Sequence, residues 1–340
     1  MTLADRLVVD WYLPRHSLLT ASLRPVSLLF GAAVAFRRAL YRGGVLRSVR
    51  LPVPVIVVGN ITVGGSGKTP LVAALARALT QRGFSPGIVS RGYGRDQDDG
   101  APILVAPDDD PARVGDEPLL LARDGYPVAV ARNRVAAGRE LLARHLACDV
   151  ILADDGLQHY GLARSVEIAV VDASRALGNG SLLPAGPLRE PASRLDEVDA
   201  VVALIVAESG APAVRPGAFT MTLATRDFRR VGDPRITASA PSFVGEGVHA
   251  VAGIGNPARF FAQLAAMGIT ANPHPFPDHH RFAPGDLAIA GAHAILMTEK
   301  DAVKCERFAD ERCWCLPVRA RVDDALVALI EGKLHGPEVA

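Results

Sequence analysis

An α/β fold, with a parallel sheet flanked by helices, is predicted by three observations. Short β-branched runs alternate with helical segments along most of the chain. One of these runs, Val53 to Val58, breaks into a glycine-rich turn, and another, Val150 to Ala153, ends on the paired aspartates Asp154 and Asp155. Strands that alternate with helices build parallel sheets whose ligand-binding loops gather at the carboxyl edge. The turn after the first run holds Thr62, Val63, Gly64, Gly65, Ser66, Gly67, Lys68 and Thr69 and leads into helix-forming Leu71 to Leu79. A strand, a glycine-rich turn ending in Gly-Lys-Thr and a helix are the context of a phosphate-binding loop, so the sheet is of the P-loop NTPase type. Backbone N–H groups of residues 62–67 would curl around phosphate oxygens, Lys68 would neutralise β- and γ-phosphates, and Thr69 could ligate magnesium. The strict pattern fails at one place, where Thr62 stands for the first glycine.

A chain of 340 residues suits two modest domains or one large one. The pattern divides it into an N-terminal membrane-associating helical segment (1–45), a P-loop domain (46–215) and a smaller C-terminal α/β domain with linking strands (216–340). Formal net charge is only +1, but the first 50 residues carry eight arginines against two aspartates, so the basic excess sits at the N-terminus. No nucleic-acid partner and no obligatory protein partner are expected. Cys148, Cys305, Cys313 and Cys315 form no Cys-x-x-Cys pair, and with no cleavable signal peptide in view they read as free thiols of a reducing cytoplasm.

Residues 18–36 are apolar but interrupted by Arg24-Pro25. A clean span wants about 20 uncharged apolar residues, so a helix lying in the cytoplasmic leaflet fits better, with Trp11 and Tyr12 at the headgroups and arginines on anionic lipid. The alternative is a soluble helical arm packed on its own domain. Beyond the loop, residues 86–90 read as a strand ending in the basic turn of Arg91 and Tyr93, suited to phosphate or substrate contact. Residues 103–105 and 128–130 are strand candidates separated by a helix starting near Asp116-Glu117-Pro118, and a helix over 135–145 precedes the strand that ends at Asp154. A carboxylate closing a strand downstream of a phosphate loop holds magnesium directly or through water, which favours the metal for Asp154 and Asp155 over the turn or helix cap that a double Asp at a strand end otherwise makes. Strands at 168–171 and 198–204 follow, with a Pro/Gly-rich connection at 182–190. Phe219 to Thr225 alternates apolar and polar residues as a half-exposed linking strand does. Gly253, Gly255 and Ala258 match a dinucleotide pattern, read as coincidence because one nucleotide site is already accounted for. His274, His279 and His280 lie in a proline-framed loop whose spacing matches no usual zinc set, so a catalytic or structural loop is expected. A strand at 294–297 with a polar end and a helix over 323–334 close the chain.

Taken together, the loop through Pro70, Ser90-Arg91-Gly92-Tyr93-Gly94, Gly115-Asp116-Glu117-Pro118, Asp154-Asp155-Gly156-Leu157-Gln158-His159, Leu183 to Glu190, Phe276 to His280 and Thr298 to Asp301 resemble the tetraacyldisaccharide 4′-kinase family of lipid A biosynthesis. The resemblance covers nearly the whole chain, and Thr62 belongs to this family's own form of the loop; Leu157 stands where the family commonly has an aromatic residue. It implies ATP-dependent phosphorylation of the 4′-hydroxyl of a tetraacylated glucosamine disaccharide 1-phosphate. It also implies a peripheral or monotopic position on the cytoplasmic face of the bacterial inner membrane. Carried over by residue, Lys68 and Thr69 serve the phosphates and Mg2+, Asp154 and Asp155 the metal, and Asp116 and His279 the sugar hydroxyl, with Arg189 and Glu190 in a site motif. Read from the residues alone, Asp116 would equally serve as an N-cap. The competing class is a membrane-positioning ATPase of the partitioning type, whose loop needs a lysine where this chain has Val63. A GTPase would need lysine second, not third, in Thr298-Glu299-Lys300-Asp301, and a non-catalytic lipid-binding protein would leave Lys68 and Asp154 unexplained.

Overall fold

The computed structural model describes residues 3–13, 17–92, 100–205, 215–225 and 227–335. The N-terminal segment is three helices, α1 (Leu3–Asp10), α2 (Leu18–Ser22) and α3 (Arg24–Arg42). Ser17 caps α2 by accepting from the Thr20 amide at 3.2 Å, and Pro25 opens α3, so the interruption at Arg24-Pro25 becomes a helix break. Ser27, Gly31 and Arg38 recur at helical spacing and share one face. That face packs inward: Ser27 Oγ donates to the Leu182 carbonyl at 2.7 Å, a Cβ on Gly31 would lie 2.7 Å from Leu182 Cδ1, and Arg38 pairs with Glu197. The opposite face leaves Leu29 and Phe36 exposed, at 73% and 67%. Among the described residues no helix is long and apolar enough to cross a membrane.

Trp11 does not reach a headgroup level. It is buried, and its Nε1–H donates to the Pro184 carbonyl at 3.0 Å, while the hydroxyl of half-buried Tyr12 donates to the Val63 carbonyl at 3.4 Å. The physical reason is that the Pro/Gly-rich connection offers carbonyls outside any ladder, and a buried indole N–H needs such a partner.

The larger sheet is built from β1 (Val55–Gly59), α4 (Lys68–Gln81), β2 (Pro86–Ser90), β3 (Ile103–Leu104), α5 (Pro111–Val114), α6 (Asp116–Arg123), β4 (Val128–Val130), α7 (Arg134–Arg144), β5 (Val150–Asp154), β6 (Val166–Asp172), β7 (Ala200–Ile205) and β8 (Phe219–Thr225). The smaller sheet follows with β9 (Phe228–Arg230), β10 (Thr237–Ala238), β11 (Val248–Ala252), α8 (Pro257–Ala266), β12 (Asn272–Pro275), β13 (Ala294–Thr298), α9 (Glu299–Cys305) and β14 (Cys313–Leu316). The chain then returns through β15 (Val318–Val322) and α10 (Asp324–Leu334). Among the described residues the larger sheet has nine strands in the order β15-β8-β7-β6-β1-β5-β2-β4-β3, parallel except at its two edges, where β15 and β3 run antiparallel to their neighbours. The smaller has six, β10-β9-β14-β13-β11-β12, with β14, β13, β11 and β12 parallel.

Central strands of a parallel sheet are covered on both faces, which is why β1 and β5 are continuous apolar runs. Ile56 and Val58 face Leu71 and Leu75 of α4; Val55 and Val57 face Leu141 of α7 and Leu157. Each such side chain taken fully out of water contributes about 1.5–3 kcal/mol. The chain beyond residue 216 is shared between the sheets. β8 and β15 extend the larger one, and Leu326 and Ile330 of α10 join its core, while residues 228–316 form the smaller.

Candidate active site

The carboxyl ends of β1 and β5 and the first turns of α4 and α6 meet under the smaller sheet. The loop from β1 to α4 is tied along its outer side: the Val63 amide donates to the Pro187 carbonyl at 2.8 Å, the Arg189 amide to the Ile61 carbonyl at 2.7 Å, and Gln158 Nε2 to the Asn60 carbonyl at 2.9 Å. Gly64 and Gly67 have φ of 106° and 86°, in the left-handed region that L side chains avoid. Gly67 also lacks room, since a Cβ there would lie 2.9 Å from Leu204 Cδ2. Ser66 Oγ is buried in the loop with no protein partner. Lys68 opens α4 and holds its Nζ 3.5 Å from Asp155 Oδ1.

Thr69 Oγ1 donates to Asp154 Oδ2 at 3.1 Å, while Asp154 Oδ1 is buried without a partner. Burial, with Glu117 and Asp155 adding to it against Lys68 and the Thr69 hydrogen bond, pushes this carboxyl up to about 7. A divalent cation fits such a place, because an orphaned carboxylate oxygen and a neighbouring hydroxyl are the hard oxygen donors magnesium takes. Asp155 differs although it is next in sequence. Its φ of 49° turns the side chain away from the strand direction, toward Lys68 and toward Arg189 Nη1 at 3.4 Å, and Arg134 Nη2 donates to its carbonyl at 3.0 Å. Burial works to raise this carboxyl, but Lys68, Arg189 and Arg134 outweigh it and bring it down to about 2.

Asp116 is the first residue of α6, not its cap, which is Gly115; its Oδ1 accepts from the Glu117 amide at 2.8 Å. Its Oδ2 lies 3.3 Å from His279 Nδ1 and 3.9 Å from Lys304 Nζ, both delivered by the smaller sheet. Asp116 is buried, and burial opposes its ionisation, yet the His279 hydrogen bond and Lys300 hold the carboxyl below its ordinary value. The other imidazoles of that loop are engaged elsewhere: His280 Nε2 is 3.0 Å from Asp286 Oδ2, and His274 Nε2 is 2.9 Å from His249 Nδ1.

The remaining expected residues divide. Arg189 joins Asp155, and Arg91 lines a groove that runs from Asp155 to Phe30 and Val34 of α3. Glu190 lines the same groove but is 1% exposed, accepting from Tyr160 at 2.8 Å and pairing with Arg194 at 3.2 Å, so its carboxylate is committed to the protein. Tyr93 lies outside the described residues. Sequence reasoning passed over Arg132, Arg134 and Arg139 and set Arg37 only against lipid, yet all four line the groove with Arg91. A signal was present, since Arg132-Asn133-Arg134 follows the carboxyl end of β4 where ligand loops belong. On the other side of the loop, an apolar chamber lined by Ala73, Leu223, Phe260 and Leu316 opens beside Lys68 and Thr69. In the turn carrying Gly253, Gly255 and Ala258, Gly255 lies against Gly65 of the glycine-rich loop, with Arg175 Nη1 donating to the Gly255 carbonyl at 3.1 Å and Arg259 pairing with Asp172 at 3.1 Å.

Comparison with known proteins covers nearly the whole chain. The family model for tetraacyldisaccharide-1-P 4′-kinase (LpxK) matches residues 19–335. A tetraacyldisaccharide 4′-kinase from Azoarcus sp. (strain BH72) is 53% identical over 316 residues, 92% of this chain and 92% of its own. One from Methylobacillus flagellatus is 48% identical over 329 residues, 96% of this chain and 94% of its own. LpxK from Aquifex aeolicus, solved in complex with ATP, superposes with a TM-score of 0.76 at 30% identity, covering 93% of this chain and 100% of that one. With the matched family model spanning nearly its full length, the chain belongs to the tetraacyldisaccharide 4′-kinase family.

Proposed function

We propose that this chain transfers the γ-phosphate of ATP to the 4′-hydroxyl of a tetraacylated glucosamine disaccharide 1-phosphate, giving lipid IVA in lipid A biosynthesis. The observation that supports this most is one cleft lined by residues 65–69 of the glycine-rich loop and by Glu117 and Lys300, with Thr69 bonded to Asp154 and Lys300 against His279, the partner of Asp116. In this reading the amides of residues 62–67 cradle the phosphates, and Lys68 turns from Asp155 to the β- and γ-phosphates. Thr69 and Asp154, with Asp155 beside them, would hold Mg2+, which when bound offsets phosphate charge as the bond to the leaving oxygen breaks. Asp116 takes the proton of the attacking hydroxyl; because that proton moves late in a loose transition state, an ordinary ionised carboxylate suffices. His279 orients Asp116, and the apolar chamber beside Thr69 has room for a nucleobase.

The arginine groove suits the acceptor. Arg91, Arg132, Arg134, Arg139 and Arg189 supply donors for an anionic sugar phosphate, and Phe30 and Val34 begin an apolar path for acyl chains. The outward face of α3, with Leu29 and Phe36 exposed, would enter the cytoplasmic leaflet of the inner membrane as a peripheral or monotopic element. The working units are the segment 1–45, a nucleotide lobe on the larger sheet and a smaller lobe, 228–316, that brings His279 and Gly255. The test is ATP with purified disaccharide 1-phosphate lipid in detergent, following label onto lipid. Magnesium-dependent appearance of a bisphosphorylated lipid is expected; ATP consumption with no label on lipid would overturn the reading.

A further inference from the structure

The first turn of α9 carries a lysine to which the chemistry above gives no role. Lys300 Nζ lies 3.2 Å from Glu117 Oε1, 3.3 Å from Asp278 Oδ1 and 3.3 Å from His279 Nε2. Burial opposes its charge, but Glu117, Asp116 and Asp278 prevail and drive its pKa upward, so it remains an ammonium. An ammonium has three donors and no acceptor. It meets a ring nitrogen favourably only where that nitrogen presents its lone pair. His279 Nε2 is therefore the acceptor, the ring proton sits on Nδ1, and Nδ1 is the atom 3.3 Å from Asp116 Oδ2. The opposite tautomer would point Nε2–H at the ammonium and a bare Nδ1 lone pair at the carboxylate. Asp278 cannot rescue it, since its Oδ1 is 3.8 Å from Nε2, beyond hydrogen-bond reach. A φ of 59° at His279 fixes the backbone that presents the ring between the two lobes.

We propose that Lys300 is a positioning residue for phosphoryl transfer: it selects the Nδ1–H tautomer of His279 and so aims the imidazole's donor at Asp116. This rests on the kinase reading for its purpose, but not for its geometry. Asp116 Oδ1 is held by the Glu117 amide and Oδ2 by His279, which fixes the plane of the carboxylate before the hydroxyl arrives. Because His279 donates at rest, it is not the group that takes the hydroxyl proton; that proton stays on Asp116 until it passes to solvent. The same arrangement makes Lys300 a contact between lobes, since Glu117 belongs to the larger and Asp278 and His279 to the smaller.

The experiment is nitrogen NMR of full-length protein in detergent with 15N-labelled imidazoles, His279 being assigned by its loss in His279→Ala. Wild-type protein should show a protonated-type shift at Nδ1 and a lone-pair-type shift at Nε2. Lys300→Met should lose this single tautomer and lower kcat roughly 10- to 100-fold, the scale seen when an outer partner that orients a histidine is removed. KM for ATP should hold. Lys300→Arg, which keeps a donor at Nε2, should retain the tautomer and recover most of kcat. A proton on Nε2 in the wild-type protein, or an unchanged tautomer in Lys300→Met, would overturn the proposal. So would a raised KM for ATP at unchanged kcat, which would make Lys300 a nucleotide ligand of the pocket it lines. The tautomer is read without turnover, so a wild-type protein that fails to label lipid sinks the kinase reading while the spectrum still judges the lysine.

Discussion

Gly255 packs on Gly65 so closely that a Cβ on Gly255 would stand 2.5 Å from the Gly65 nitrogen and 3.1 Å from Asp278 Oδ2. The smaller lobe thus touches the glycine-rich loop through bare backbone, and neither neighbour can yield without moving the loop or the turn that carries His279. Gly255→Ala is expected to lower kcat/KM for ATP by about 10²-fold, the scale on which an ångström of misplacement acts. The melting temperature should stay near wild type, because the contact lies between lobes rather than in a core. Unchanged ATP kinetics would show that the two backbones separate freely.

Lys68→Ala is expected to lower transfer by roughly 10²- to 10³-fold or more, as loss of a charge aimed at the transition state does. Folding should survive, because Asp155 keeps Arg189 at 3.4 Å and Arg134 at its carbonyl. Turnover close to wild type would remove the loop from the chemistry.

The first strand, the glycine-rich turn and helix after it, and the strand ending at the two aspartates were legible because each is a local pattern: an apolar run, a glycine turn, a charge at the strand end. What separates Asp154 from Asp155 was not local. One is orphaned beside Thr69 and the other turned into three cations, and only the packing of α7 and of residues 187–189 decides it. Glu190 read as a site residue from its motif, yet its side chain points to Arg194, four residues later, and no spacing rule distinguishes inward from outward in a Pro/Gly-rich connection. The same limit hid the Gly253–Ala258 turn. Its glycines were readable as a tight turn, but what approaches them, another loop rather than a pyrophosphate, depends on the long-range docking of the two sheets. The return of β15 and α10 to the larger sheet was equally invisible, since an edge strand and a closing helix carry no label for the sheet they join.

The N-terminal segment reaches the glycine-rich loop as well as its own helices. Tyr12 donates to the Val63 carbonyl, and the Arg175 guanidinium, 5.0 Å from the Tyr12 ring, also holds Gly255. Such a cation–π contact contributes about 0.5–1 kcal/mol at an exposed site, so Tyr12→Ala should raise KM for ATP about two- to five-fold. Leu29→Ser with Phe36→Ser should weaken vesicle co-sedimentation and lipid turnover while leaving ATP binding alone. If both sets of changes act only on lipid, Tyr12 is an anchor and nothing more.

His159 provides a test by pH. Burial, with Arg134, Arg164, Arg37 and Arg91 acting in the same direction, pushes its imidazole down from 6.5 to about 4. The unfolded chain therefore takes up a proton at this residue in a window, pH ~6.5 to ~4, where the folded chain does not, and stability falls as pH falls through it. His159→Gln should flatten that part of the melting-temperature profile and leave neutral pH almost unchanged. An anion bound in the arginine groove should produce part of the same flattening by offsetting those cations. A variant profile parallel to wild type would mean the imidazole is protonated in the fold.

Asp116→Asn decides between a base and a structural acceptor. Asparagine keeps a carbonyl oxygen for the Glu117 amide now 2.8 Å from Oδ1, and Gly115 rather than Asp116 caps α6, so the helix start should survive. What is lost is the charge facing His279 and Lys304 and the lone pair that accepts a proton. The first loss is one of stability: the carboxyl is held below its ordinary value, so its contribution is present above the unfolded carboxylate range and fades as pH falls through the folded pKa. The variant should melt somewhat lower at neutral pH, and the gap should close in acid. The second loss is one of rate, about 10²- to 10⁴-fold for a general base. His279→Ala should cost less, because it removes the orienting donor and leaves the base. The double substitution should lose less than the product of the two losses, because without the carboxylate there is nothing for the imidazole to orient. Measured as kcat on the lipid acceptor, full activity in Asp116→Asn would assign this buried carboxylate to holding the lobes together through His279 and Lys304, and the base would have to be sought among Glu117 and Asp278, the carboxylates on Lys300.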